Sequence, residues 1–199
     1  SDGADGYSLA TNGKPDASLT KEWLHPIAPL IPRNPIGGDQ VTQAFLPLIT
    51  LVHVPNAMNA AVIGFGSGVS SHLLLGSPRL EHLVTVEIEP AMVEGARLFQ
   101  PANARVFRDP RSRIVIADAK SFFAAGGVKY DLIVSEPSNP WVSGVATLFT
   151  TEFYHRVRGQ LTPNGVFGQW FHLYELDDQL VLTVLAALHE SFASYDVFL

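Results

Sequence analysis

The sequence predicts an α/β fold with a parallel sheet covered by helices on both faces, and three observations carry that prediction. Short apolar runs alternate with segments of helical periodicity over most of the chain, the pattern of repeated strand-helix-strand units. One run, Ala60-Ala61-Val62-Ile63, breaks into Gly64-Phe65-Gly66-Ser67-Gly68-Val69, with three glycines spaced two apart. Polar residues and glycines then mark the ends of four runs, where open α/β sheets bind ligands.

The elements follow in order. Asn12-Gly13, set between 7–11 and a polar return, is a strong short hairpin signal. Four prolines between 24 and 38 predict an irregular connection and a boundary, dividing a hairpin region (1–38) from a nucleoside-binding domain (39–199). After Asp39 as N-cap, Val41, Ala44, Phe45, Leu48 and Val52 recur at helical spacing, with Pro47 either a kink or a discordant residue. The expected elements are then strand 60–65, a helix from about 69, strand 83–87, helix 90–99, strand 113–117 and helix 119–124. Strand 130–135, helix 149–161, strand 166–171, helix 176–192 and strand 195–199 complete the pattern.

Bulk properties narrow the function. A chain of 199 residues, 47% hydrophobic, can bury one substantial core. The net charge of -6, from 13 Lys+Arg against 19 Asp+Glu, disfavours nucleic acid and suits a small cationic substrate. Without cysteine there is no disulfide, thiolate nucleophile or Cys-based zinc site, and the seven histidines form no ligand pattern, so no metal is expected. No apolar run approaches the roughly 18 residues of a membrane span, and no signal-peptide pattern opens the chain. No membrane contact is therefore expected of this segment. The start at Ser1-Asp2-Gly3 suggests a piece of a longer protein; the expected compartment is the cytoplasm, or the soluble part of a membrane-attached protein.

At the strand ends, Gly64, Gly66, Ser67 and Gly68 permit a ligand to approach backbone free of Cβ atoms, although an ordinary tight turn would use the same glycines. Glu87 lies 19 residues after Gly68, the spacing of an acid that accepts from ribose hydroxyls. Its alternative, shared with Glu89, is to favour the N-terminus of the helix opened by Pro90; for Glu89 that reading prevails. Asp118 can accept from an exocyclic amine such as adenine's while capping helix 119–124. Glu136, partly desolvated by Trp141 and the flanking prolines, is a candidate general base, and Asn139 can orient an amine. A rigid proline-bracketed turn is the rival reading. Gln169, Trp170, His172, Tyr174 and Glu175 form a rim that could hold an aliphatic amine, or simply core and solvated edge.

With these residues assembled, the chain resembles the spermidine synthase family, the polyamine aminopropyltransferases, which share the Rossmann-like class I S-adenosylmethionine-dependent methyltransferase fold. The resemblance rests on Val62 to Gly68, on Val86-Glu87-Ile88-Glu89, and on Asp109-Pro110-Arg111 leading to Asp118-Ala119. Tyr130 to Val134 before Glu136, and Leu148-Phe149-Thr150-Thr151-Glu152-Phe153-Tyr154, complete it. It implies decarboxylated S-adenosylmethionine across the glycine loop, Glu87 on its ribose, and Asp118 and Ala119 at its adenine. Gln43 joins the donor-binding residues through the helix that begins at Asp39. The catalytic set it implies is Glu136, Asn139 and Tyr154, with Trp141, Gln169 and Tyr174 beside Glu136 and Asn139 in binding the amine. No metal is implied.

The family usually has two aspartates where this chain has Glu136 and Asn139. Glutamate keeps a base but moves it by one methylene; asparagine removes a charge that would attract a diamine. The Ser-Glu-Pro-Ser-Asn-Pro-Trp form is similar to a divergent bacterial branch often joined to transporter-like membrane segments. Six strands are counted against the seven of the fold, so the final antiparallel strand is missing and an open apolar edge predicts dimerisation or truncation. The implied reaction is aminopropyl transfer to a polyamine or other amine. Small-molecule methyl transfer from intact S-adenosylmethionine and a nucleoside-sensing domain without catalysis are the alternatives. An NAD-dependent oxidoreductase is disfavoured, because Gly66-Ser67-Gly68-Val69-Ser70-Ser71 lacks the last small residue of that fingerprint.

Overall fold

The run Asn59–Ile63 forms a strand whose alternate residues enter two cores, which is why it reads as continuously apolar. Ala60 and Val62 pack with Leu74, Leu75 and Leu80, whereas Ala61 and Ile63 pack with Phe123, Phe153, Tyr154 and Val157. The computed structural model describes residues 2–3, 6–11, 14–24, 38–137, 145–171 and 177–198.

A three-stranded antiparallel sheet comes first: β1 (Asp2–Gly3), β2 (Gly6–Thr11) and β3 (Lys14–Thr20). The pairing of β2 with β3 agrees with the predicted hairpin, while Asn12-Gly13 itself lies outside the described residues, as does most of the proline-rich connection. Then follow α1 (Gly38–His53), β4 (Asn59–Ile63), α2 (Val69–Leu74), β5 (His82–Glu87), α3 (Pro90–Gly95), α4 (Ala104–Arg108) and β6 (Ser112–Ile116). The chain continues as α5 (Ala119–Ala124), β7 (Tyr130–Ser135), α6 (Thr151–Gln160), β8 (Leu161–Gln169) and α7 (Asp178–Ser191).

The main sheet is parallel, in the order β6-β5-β4-β7-β8. Chain order reverses between β4 and β7, so the crevice for a ligand lies beyond their carboxyl ends. The α/β class, the parallel sheet with helices on both faces and the small antiparallel N-terminal hairpin are as predicted. No helix among the described residues is long and apolar enough to cross a membrane.

Several boundaries differ from the prediction. The expected helix 90–99 splits: α3 stops at Gly95, where a Cβ would meet Leu9 of β2 at 2.9 Å, and a 3₁₀ turn covers Ala96–Phe99. The short helix α4 was not anticipated. β8 begins at Leu161, because Thr162-Pro163-Asn164-Gly165 is taken up as a register shift opposite Tyr130 and Leu132. The predicted strand 195–199 is not formed over its described residues. Among the described residues its alternation has no strand to pair with. Tyr195 and Val197 stay exposed, and Phe198 packs edge-on against Phe45 and His53 of α1, at 6.1 and 6.3 Å.

Two devices hold the site's scaffold. Arg111 donates to both carboxylate oxygens of Asp109, at 2.9 and 2.6 Å, and to the carbonyls of Leu75, Ser77 and Leu80. The guanidinium, with its hydrogen bond foremost, draws the Asp109 carboxyl down to about 2. Asp109-Pro110-Arg111 is thus a clamp between the end of α2 and the start of β6. The second device is the seat of α1 on β8. Thr50 is buried, and a Cβ on Gly168 would lie 2.2 Å from its Oγ1 and 3.1 Å from its Cγ2. Gly168→Ala should therefore destabilise the protein by roughly 1–3 kcal/mol in thermal or denaturant unfolding, with part of the loss recovered in the Thr50→Ala background. An unchanged melting curve for Gly168→Ala would contradict the tight seat.

Candidate active site

The glycine loop leaves β4 with Gly64, Gly66 and Gly68 all at positive φ, 88°, 49° and 78°. At Gly64 the requirement is also one of space, since a Cβ there would lie 2.7 Å from the Glu136 carbonyl oxygen. At Gly66 a Cβ would point into open space, which leaves bare backbone for a ligand to approach.

Glu87 lies beneath the loop. Its Oε2 accepts from the Phe65 N–H and its Oε1 from the Glu89 N–H, each at 2.8 Å. The carboxylate has acceptor capacity to spare for the two hydroxyls of a ribose. Glu89 caps α3 through the Ala91 N–H, the helix-terminus role expected of it. At the next strand end Asp118 caps α5, accepting from the Ser121 N–H at 3.0 Å and hydroxyl at 2.8 Å, with Ala119 buried behind it. Burial opposes the Asp118 charge, but the Ser121 hydroxyl and N–H outweigh it and hold the carboxyl below its ordinary range.

Facing the loop from α1, Gln43 uses two atoms. Its side-chain Oε1 accepts from the Ser67 hydroxyl, and its backbone carbonyl lies 3.0 Å from the Ser70 Oγ. The same Ser70 Oγ lies 2.5 Å from Glu136 Oε2. The other carboxyl oxygen, Oε1, is buried with no hydrogen-bond partner among the described residues. Burial pushes the Glu136 carboxyl up to about 7, against a smaller downward pull from Ser70. The backbone of Glu136 extends the sheet, its N–H donating to the Ile63 carbonyl at 2.9 Å.

Gln169 pairs with Ser135 in the sheet and so stands one residue from Glu136 on the neighbouring strand. Its amide is fixed on both sides, accepting from the Tyr154 hydroxyl at 2.8 Å and donating to the Leu148 carbonyl at 3.2 Å. Tyr154 is fully buried, and burial pushes its phenol well above the ordinary range. Its hydroxyl is committed to Gln169.

The fold thus gathers Gln43, Gly64, Gly66, Ser67, Gly68, Glu87, Asp118, Ala119, Glu136 and Gln169 at the carboxyl end of one sheet. Asn139, Trp141 and Tyr174 lie outside the described residues, as do His172 and Glu175. Two participants escaped the sequence reading. Ser70 links Gln43 to Glu136, and buried Asn103 donates to the carbonyls of Ser67 and Ala96, both at 2.7 Å. Nothing local marks Asn103, whereas Ser70 is the second residue of a helix that begins at the glycine loop. Among the described residues no group of three or more His, Cys, Asp or Glu is placed to hold a metal ion.

A glycine loop, an acid at the second strand end and a desolvated carboxyl at the switch point stand together on an α/β fold of Rossmann-like type. The chain belongs to the spermine/spermidine synthase domain family, whose model matches residues 41–199. It is 31% identical over 144 residues to putrescine N-methyltransferase 2 of Nicotiana tabacum, covering 69% of this chain and 40% of that protein. It is 30% identical over 167 residues to the polyamine aminopropyltransferase of a Synechococcus species, covering 83% and 49%. A crystal structure of spermidine synthase with the transition-state analogue AdoDATO superposes with a TM-score of 0.68 at 25% identity, covering 77% of this chain and 52% of that one. The chain spans about half, or less, of the length of these proteins.

The raised carboxyl has a consequence for stability. Between its ordinary value of 4.5 and about 7, the folded protein holds a proton on Glu136 that the unfolded chain has released. Stability therefore falls as pH rises through that window. Relative to Glu136→Gln, the wild-type protein should lose on the order of 3 kcal/mol of unfolding free energy between pH 4 and pH 8. A pH-independent difference between the two in urea titrations would show that Glu136 is not desolvated.

Proposed function

We propose that the protein alkylates an amine, transferring the aminopropyl group of decarboxylated S-adenosylmethionine to a polyamine or a related amine. The observation that carries this reading is Glu136: a carboxyl pushed up to about 7 by burial, with its Oε1 without a partner among the described residues, immediately beside the glycine loop. A general base is most effective when its pKa lies near the working pH.

The residues present suit the donor. Open backbone at Gly66, acceptor capacity on Glu87 and an ionised Asp118 at the following strand end match a nucleoside with ribose hydroxyls and an exocyclic amine. The donor, when bound, supplies an electrophilic carbon beside a sulfonium. On this reading Glu136 Oε1 takes a proton from the amine nitrogen and so presents a free electron pair. The nitrogen–carbon bond forms as the carbon–sulfur bond breaks, and that bonding pair stays on sulfur. Gln169, held by Tyr154, is placed to fix the amine's direction of approach. Asn139, Trp141 and Tyr174 are assigned to the amine side by family resemblance alone.

The putrescine N-methyltransferase relative favours a second reading, in which intact S-adenosylmethionine donates a methyl group to the same kind of amine. Calorimetry with both donors discriminates, because only a pocket with room and charge for the donor carboxylate prefers the intact form. Mass spectrometry after incubation of each donor with a panel of amines should reveal the aminopropylated product. Glu136→Gln should lower turnover by about 10²–10⁴-fold while leaving nucleoside affinity unchanged. Methylated product alone would replace the first reading with the second. Donor binding with no product from any amine would leave only a nucleoside-sensing domain.

β8 has no strand on its outer side among the described residues, which supports a homodimer paired through that edge. Sedimentation velocity at micromolar concentration should give a dimer; a stable monomer counts against it.

A further inference from the structure

Pro47 is the discordant residue of α1, and its effect falls four residues earlier. In an α-helix the carbonyl of residue 43 accepts from the N–H of residue 47, which proline lacks. The Gln43 carbonyl therefore needs a donor from elsewhere, and Ser70 Oγ lies 3.0 Å from it. Ser70 has one proton. It lies between two acceptors, the Gln43 carbonyl and Glu136 Oε2, the latter at 2.5 Å. Both contacts can be hydrogen bonds only when the second proton belongs to Glu136. Ser70 then donates to Gln43 and accepts from the carboxylic acid.

We propose that Pro47 and Ser70 are positioning residues that hold Glu136 as a neutral acid in the resting site, by committing the Ser70 proton to the carbonyl that Pro47 leaves without a donor. Ionisation of Glu136 requires the Ser70 hydroxyl to turn toward Oε2, and the Gln43 carbonyl loses that donor. The base is thereby coupled to the helix that also carries Gln43 Oε1 against Ser67 of the glycine loop.

No described charge competes for the role. α1 brings only Asp39 at its start and His53 at its end, and the β8 segment 161–169 has no ionisable side chain. His72 of α2 is engaged with Arg105, and both Glu87 oxygens accept from backbone. The Tyr154 hydroxyl is held by Gln169, and the segment 137–145 carries no ionisable residue in its sequence. Burial, which disfavours the charged carboxylate, raises the Glu136 pKa independently of Ser70; a Ser70 hydroxyl turned to donate to Oε2 pulls it the other way.

The inference rests on the base role proposed for Glu136, but its test does not require turnover. Protein labelled with ¹³C at the glutamate carboxyl is titrated by NMR, with the Glu136 signal identified by its loss in Glu136→Gln. Pro47→Ala supplies an N–H to Gln43, frees the Ser70 proton for the carboxylate and should lower the Glu136 pKa by about one unit. Pro47→Val, which refills the volume of the buried ring, should do the same. In a Ser70→Ala background either substitution should leave the pKa where it was. An unmoved pKa in both Pro47 variants, or an equal shift with and without Ser70, overturns the coupling. The acidic limb of the pH–rate profile should move with the titration. A shifted titration without any alkylated product overturns the functional reading and leaves the coupling; product formation with an unshifted titration does the reverse.

Discussion

The close approach of Gly64 to the Glu136 carbonyl is the constraint on which the site depends. β4 and β7 lie side by side at the switch point, and the chain must leave both in the space of a single backbone contact. The sheet's hydrogen bonding continues one row past the strands to hold that contact. Gly64 N–H donates to Val86, Glu136 N–H to Ile63, Trp170 N–H to Ser135 and Ala117 N–H to Glu87, all at 2.9 Å. One row of peptides spanning five strands thus forms the floor of the site. A side chain at position 64 would push the glycine loop away from Glu136, because a Cβ there would lie 2.7 Å from the Glu136 carbonyl oxygen, and so strain that row.

Above that floor the chain buries polar groups where a purely structural sheet would place aliphatic ones. Ser67, Ser70, Ser71, Thr85 and Glu87 are all buried, and the start of α2 is lined with hydroxyls. Such groups are tolerable only when paired. The Ser71 hydroxyl meets Thr85 at 2.8 Å, Ser67 meets Gln43, and Glu87 takes two backbone N–H groups. Glu136 Oε1 is not paired, and neither are Asn103 Oδ1, Ser135 Oγ and Ser191 Oγ; of these buried atoms without a partner among the described residues, only Glu136 Oε1 belongs to a carboxyl group. An unmet acceptor of this kind destabilises the folded state by roughly 1–3 kcal/mol. It is also what a proton-abstracting group needs before its substrate arrives.

Features set by local chemistry were legible in the sequence, and those set by distant packing were not. The continuous apolarity of 60–63, the glycine loop, and the caps at Glu89 and Asp118 are properties of a few adjacent residues and emerged as read. Alternation over 195–199 was equally clear, yet no strand forms over its described part, because alternation specifies a half-buried segment and Phe198 is occupied on α1. Arg111 read as part of a family motif, and only the fold reveals that its guanidinium spans three carbonyls of the α2–β5 connection. Pro47 was visible in the sequence as a kink or a discordant residue, and it lies inside α1. The residue that answers it, Ser70, is brought to α1 only by the packing of α2 beside it.

The carboxyl groups at successive strand ends illustrate how one sheet serves two kinds of chemistry. Asp118 is kept ionised, because a hydroxyl and an N–H from Ser121 stabilise its charge more than partial burial opposes it. Glu136 meets one hydroxyl among the described residues, that of Ser70, which also faces the Gln43 carbonyl, and its burial disfavours the charge. The first is thereby suited to accept a permanent hydrogen bond, the second to exchange a proton. Divergence of this kind between neighbouring acids separates a binding role from a proton-transfer role. It follows from the number of donors each carboxyl meets: a backbone N–H is available to Asp118 because a helix begins there, and none reaches the Glu136 carboxyl among the described residues.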